Sequence, residues 1–276
     1  MKNRTTDMKK VNLMYFSPTA TTKTVVEEIG KRLVDTKRLE SGKTIDFTLP
    51  KQRESAQNFQ AKDILVIGVP VYAGRVPNVL LKYLNTIQGN NTLAIPIVLY
   101  GNRHYDDALI ELNDILQKNG FKVIAGAAFI GEHSFSYTLA KERPDNKDLT
   151  IAEEFANKVY TKIQSNNHNT AQVNGNKPYR PYYMPKNEED ESVDIRRVIP
   201  KTDNTCIDCK ICSEVCPMGS IPYNDVKAIV GICIKCGACI KRCPTQSKYF
   251  DDTDYLRHKQ ELEEQFDERR EPELFV

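Results

Sequence analysis

The chain has 276 residues, which at roughly 150 residues per domain suggests two domains. Its 39 Lys and Arg against 37 Asp and Glu leave a net charge of +2, no case for a general nucleic-acid binder. No apolar run approaches the roughly 18 residues of a membrane span, and the basic N-terminus lacks the apolar stretch of a signal peptide, so the chain reads as soluble and cytoplasmic.

Residues 1–164 carry a net charge of +5 and alternate between two kinds of pattern. Val11–Phe16, Thr44–Leu49, Ile64–Val71, Leu93–Tyr100 and Val123–Ile130 are short apolar runs, dense enough for buried parallel strands. Helical spacing marks Thr22–Leu33, Val76–Ile87, Asp106–Lys118 and Thr150–Ile163, with Asn119-Gly120 stopping the third as a left-handed cap. Five strands alternating with helices predict an α/β domain: an open parallel sheet covered on both faces. The Pro50–Lys62 connection shows neither period.

Residues 165–200 are polar, aperiodic and neutral, and read as a linker. The tyrosines of Tyr179–Pro185 predict packing on a domain, and Glu188–Glu191 a solvated face. Residues 201–250 carry +3 and all eight cysteines. The tail, 251–276, carries −6, and Asp254–Arg270 reads as a charged surface helix.

The cysteines form two runs, Cys206, Cys209, Cys212, Cys216-Pro217 and Cys233, Cys236, Cys239, Cys243-Pro244. Each reads C-x2-C-x2-C-x3-C-P, the bacterial ferredoxin spacing. Three thiolates in a tight loop reach three irons of one cube; the fourth, one helical turn on, points to the other cube. The spacing predicts one [4Fe–4S] cluster on Cys206, Cys209, Cys212 and Cys243, and a second on Cys233, Cys236, Cys239 and Cys216. Disulfides would need an oxidising compartment, and structural zinc on separated C-x2-C pairs leaves the third cysteine and the proline unexplained.

In open α/β sheets ligands bind outside the carboxyl ends of the strands, where strand order reverses. In flavodoxin-like order, 2-1-3-4-5, that is between the first and third strands. Ser17–Thr22, after the first, offers four hydroxyls and a helix N-terminus, a phosphate cradle or an ordinary cap. Gly68–Pro77 after the third strand and Tyr100–Asp107 after the fourth bring Tyr72, Tyr100 and Tyr105 towards it, which favours a ligand with both ring and phosphate. Arg75 and Arg103 read as surface residues or as stabilisers of charge on a reduced ring. His133 reads as a packing or capping residue.

Ser17–Thr22 resembles the flavodoxin phosphate-loop pattern T/S-x-T-G-x-T, and GVPVYAGRVP (68–77) and YGNRHYDDAL (100–109) resemble loops that hold the FMN ring. With the doubled cysteine motif, the whole chain resembles the flavodoxin–ferredoxin fusion proteins of the EFR family of anaerobic bacteria. The resemblance implies that Ser17, Thr19, Ala20, Thr21 and Thr22 bind the FMN phosphate. Pro70, Val71, Tyr72, Ala73 and Gly74 would line one side of the ring, and Tyr100, Gly101, Asn102 and Tyr105 the other. Ala20 stands where the pattern has Gly. The chain has no Trp, so stacking falls to Tyr72 or Tyr105.

The expected function is electron transfer: FMN and two clusters in one chain relaying electrons to or from a redox partner protein. Alternatives are a flavin-dependent reductase of a small acceptor such as a quinone, and an iron–sulfur redox sensor with the acidic tail as contact surface. No G-x-G-x-x-G follows a strand, so no built-in NAD(P)H site is expected. No nucleophile–base–orienter set suggests hydrolytic or transferase chemistry.

Overall fold

The structure, a computed structural model, describes residues 8–36 and 38–276. In chain order, β1 (Lys10–Tyr15), α1 (Thr21–Asp35), β2 (Glu40–Asp46), a 3-10 turn (Pro50–Arg53), β3 (Asp63–Pro70), α2 (Asn78–Leu84), β4 (Leu93–Tyr100), α3 (Ala108–Lys118), β5 (Lys122–Val123), β6 (Gly126–Ile130) and α4 (Asn146–Gln164) build the N-terminal part. β1 pairs in parallel with β3 over six residues and β3 with β4 over seven, and all eight residues of β4 are buried. One face packs against α1 and α4 through Val26, Ile29, Phe155 and Val159, the other against α2 and α3 through Leu80, Leu84, Leu109 and Leu112.

Two strands depart from the sequence pattern. β2 begins four residues before the apolar run at Thr44, because it is an edge strand with no buried position and needs no apolar signal. The fifth run is split: β5 pairs with the start of β4 and β6 with its end, with Ile124 and Ala125 between them. Taking β5 and β6 as one interrupted strand, the order is the flavodoxin-like 2-1-3-4-5. The expected helices are all present with shifted ends, α2 shortened to Asn78–Leu84 and α4 starting at Asn146 on an Asp145 capping box. Gly120 ends α3 at φ +83°, as its sequence predicts.

The sheet also has a sixth, antiparallel strand. β9 (Glu273–Phe275) returns from the C-terminus to pair with β6. The tail helix α7 (Thr253–Gln265) is shorter than the expected Asp254–Arg270 and buries Tyr255, His258 and Leu262. Residues 171–183 lie along the α/β domain, whereas the carbonyls of Lys186 and Arg196 accept from Arg257 and Lys235. Tyr179 Oη donates to Asp114 (2.6 Å), Arg180 clasps Asp107 (2.7 Å), Tyr182 Oη donates to the Val76 carbonyl (2.8 Å) and Tyr183 N–H to that of Ala73 (2.9 Å).

Candidate functional site

The two cysteine runs fold as matching halves. Asp208 and Lys235 both stand at φ +54°, Lys210 and Gly237 at +66° and +73°, Gly219 and Gln246 at +62° and +55°. Alternating left- and right-handed residues turn successive amide N–H groups inward, a concavity suited to anions and iron–sulfur groups. Each loop ends in one helical turn, α5 (Ile211–Glu214) or α6 (Ala238–Lys241), and a short antiparallel pair, β7 (Lys201–Thr202) and β8 (Lys248–Tyr249), joins the ends of the segment.

The halves exchange their fourth cysteines. Cys206, Cys209, Cys212 and Cys243 line one cavity, of about 300 Å3 including its open mouth. Cys233, Cys236, Cys239 and Cys216 line another, of about 390 Å3. All eight are free thiols. Among the described residues no three His, Cys, Asp or Glu close on a single-ion position. Thiols spread around a cavity suit a multi-iron cage better than one zinc ion. Burial pushes the Cys236 thiol up to about 12 and raises Cys212, Cys233 and Cys239, so iron binding must displace protons there. Burial also pushes Cys243 up, but hydrogen bonds from Ser247 and Thr245 outweigh it and bring it to about 7. Their hydroxyls lie 3.2 and 3.6 Å from its Sγ.

On the α/β domain, the loop after β1 leads into the 15-residue α1. Ser17 Oγ accepts from Lys23 N–H at 2.9 Å, so Ser17 acts as a cap. Ala20, at the helix N-cap, holds φ +71°, a conformation that favours glycine. Thr22 is buried and its hydroxyl has no partner. With the first-turn amides a helix leaves free, this orphan hydroxyl fits a phosphate. Thr21 packs against Gly131, whose added Cβ would lie 3.0 Å from Thr21 Cβ.

The ring loops are less free than their sequence suggests. Pro70 ends β3, and Val71 N–H donates to the Leu99 carbonyl (2.7 Å). Tyr72 and Arg75 exchange hydrogen bonds (3.0 and 3.1 Å) around Ala73 at φ +53° and Gly74 at +77°, a tight hairpin turn. Tyr105, one of two expected stacking residues, is 1% exposed, and its hydroxyl donates to Glu273 at 2.7 Å. It belongs to the core and offers no free face for stacking. Tyr100 packs on Tyr105 with centroids 5.6 Å apart. The Asn102 amide donates to the carbonyls of Phe266 (2.6 Å) and Glu268 (2.8 Å) and so holds the tail. Gly101 abuts His133, whose Nδ1 accepts from Phe135 N–H at 3.1 Å; burial lowers that imidazole to about 3. Arg75 is clamped by Glu111 (2.7 and 2.8 Å) and Arg103 by Asp106. A flavin ring would therefore meet Pro70, Val71, Tyr72, Ala73 and Gly74, with the Gly101 backbone opposite.

The cysteine segment docks on this end of the α/β domain, through its second half and through Pro217 at the end of the first run. The Lys241 ammonium bonds to the Glu132 carboxylate and, at 2.7 Å, to the Ser136 carbonyl. Arg53 spans the carbonyls of Phe47, Thr48 and Pro217 (2.8, 2.6 and 2.6 Å), and Ile234 packs on the sheet's core. A Cβ at Gly237 would lie 2.5 Å from the Ser134 carbonyl oxygen. The matching Lys210 has the same left-handed backbone, so the close approach to Ser134, and not the turn, is what requires glycine here. Burial pushes the Tyr72 phenol well above its usual value, and the charges of Cys236 and Cys233 push the same way. Tyr72 thus lies within electrostatic reach of two cysteines of the second cavity. Nothing in the spacing of Arg53, Glu132, Lys241 and Glu273 marks them, since each acts across a long chain separation.

Residues 205–248 match the 4Fe-4S dicluster domain family. No curated protein matches the chain in sequence. Among solved structures the chain is similar to a flavodoxin from the domain Archaea (15% identity, 56% of this chain and 99% of that one, TM-score 0.39). It is similar too to oxidised flavodoxin 2 from Bacillus cereus (12%, 56% and 99%, 0.39) and to Fusobacterium nucleatum flavodoxin bound to flavin mononucleotide (18%, 58% and 99%, 0.37).

Proposed function

We propose that the chain is an electron-transfer protein that holds two [4Fe–4S] clusters on its eight cysteines and FMN at the carboxyl ends of β1, β3 and β4. The reading stands on one observation above all: each of two cavities takes three cysteines from one run and the fourth from the other. A bound cluster exchanges single electrons, and a bound flavin one or two.

The protein supplies position and screening. Inward amides and basic residues offset the charge of each thiolate cage. The amides of α1 and the Thr22 hydroxyl hold the phosphate. Tyr72 shields the ring from water on the side facing Cys233 and Cys236, and the docked second half holds donor and acceptor at fixed separation. Donor and acceptor are then redox partner proteins, and the free thiols belong in a reducing compartment, the cytoplasm. Among the described residues no helix is long and apolar enough to cross a membrane.

Anaerobically purified chain should contain roughly eight irons and eight sulfides, from two cubes of four, and release FMN rather than FAD. Colourless protein, or zinc alone, would refute the proposal. Cys216→Ala should impair the cluster of Cys233, Cys236 and Cys239 and spare the other; equal loss of both would contradict crossed ligation.

A further inference from the structure

Lys248 is 2% exposed and lines the cavity of Cys206, Cys209, Cys212 and Cys243, and its ammonium bonds to another lining residue, Val226. Among the described residues that ammonium bonds to a single acceptor, the Val226 carbonyl. An ammonium buried with one neutral acceptor costs several kcal/mol unless an anion compensates it. The other buried lysine of the segment differs: Lys235 donates to two carbonyls, those of Arg196 (2.6 Å) and Cys233 (2.9 Å), and feels the carboxylate of Asp194.

The repeat sharpens the point. Lys248 stands five residues after Cys243, and Ile221 stands five after Cys216. Ile221 is 4% exposed and lines the second cavity. The two positions are equivalent, one apolar and one cationic, so the space itself does not require an ammonium. The preceding serines differ in the same sense. Ser247 places its hydroxyl 3.2 Å from the Cys243 sulfur, whereas Ser220 donates its own to the Ile232 carbonyl at 2.7 Å.

We propose that Lys248 is a redox-tuning residue: its buried charge faces the cluster of Cys206, Cys209, Cys212 and Cys243, stabilises the reduced state, and raises that cluster's potential above the value an apolar residue would allow. A four-thiolate [4Fe–4S] centre carries about −2 when oxidised and −3 when reduced. A fixed cation in a low-dielectric site favours the more negative state, as does a hydroxyl bonded to a ligand sulfur. Lys248 also lies within electrostatic reach of Cys239, so the second cluster feels its charge too.

The inference rests on the cluster assignment, and the experiment separates the two: a wild-type chain without iron refutes the assignment, whereas the inference is judged on chain that holds clusters. Anaerobic redox titration followed by electron paramagnetic resonance gives the two midpoints, and Ser247→Ala, which removes the hydroxyl bonded to Cys243, identifies which belongs to the first cluster. Lys248→Met, which keeps the stem, and Lys248→Ile, which copies the equivalent position, should each hold full iron. Each should lower that midpoint so that the reduced-to-oxidised ratio at fixed potential falls at least tenfold, about 59 mV for one electron. Lys248→Arg should restore it. The inference is overturned by unmoved midpoints at full iron, by movement confined to the other midpoint, or by equal loss of iron in all three variants, which would make the side chain a filler of space.

Discussion

At the level of single residues, two side chains carry testable stress. Ala20 holds φ +71° at the start of α1, in a left-handed conformation that costs a residue with a Cβ about 1–2 kcal/mol and glycine much less. Ala20→Gly should raise unfolding stability by about 1 kcal/mol and leave flavin binding equal or tighter; a lower melting temperature would show that the strain is not real. His133 is held neutral by burial first, then by the nearby charges of His258, Lys241 and Arg103. Its folded value, about 3, lies below the unfolded value near 6.5. As pH falls from 6.5 towards 3, the unfolded chain takes up a proton that the folded one refuses, so stability drops by up to about 1.36 kcal/mol per pH unit. Above pH 6.5 this penalty is absent. Denaturant unfolding of His133→Phe should show a shallower decline between pH 6.5 and 4 than the parent chain; parallel profiles would mean the imidazole is not held neutral.

At the level of elements, legibility followed burial. β1, β3 and β4 are buried enough that Val, Ile and Leu alone mark them, and the cysteine loops were readable because ligand spacing is local. β2 was legible only at its end, where the run at Thr44–Leu49 overlaps it, and β9 not at all. Each lies at a sheet edge, and β9 has only three residues, none fully buried. Helix α7 carried a signal beneath its acidic composition, since Tyr255, His258 and Leu262 recur at three and four residues along one face. The tail does structural work that composition hides. Tyr105 and Asn102 bond to it, Arg143 donates to the Arg270 carbonyl at 2.7 Å, and Arg269 meets Asp145 at 2.6 Å. A chain ending at Gln265 should lose about 1 kcal/mol for each hydrogen bond undone, and its bared β6 edge should self-associate. Unfolding midpoints and gel filtration check both effects; a monomer of unchanged stability would show that the tail is an ornament of the fold.

Across the whole molecule, six segments meet at one end of the sheet: the three loops after β1, β3 and β4, the docked strap of 171–183, the second cysteine half and the tail. The site is therefore composite, and only its parts could be read from sequence; the order in which the cavities face the sheet depends on contacts between residues more than 100 positions apart. The second cavity lies against the α/β domain, while Cys209 of the first is exposed to solvent beside Ile207, which is 65% exposed. Docking rests on few polar contacts, of which Lys241 with Glu132 is the most easily tested, both side chains being largely buried. Lys241→Glu places two carboxylates together and should loosen the cysteine half without removing its iron. The linker at 165–200 should then be cut faster by protease, and small-angle scattering should report a larger radius. Combining Lys241→Glu with Glu132→Lys restores opposite charges in reversed order and should recover the compact form, with a coupling of about 0.5–3 kcal/mol in a double-mutant cycle. Additive effects would show that the pair does not hold the halves together, and docking would then rest on such contacts as Arg53 with Pro217, Ile234 and Phe135 in their apolar clusters, and the approach of Gly237 to Ser134.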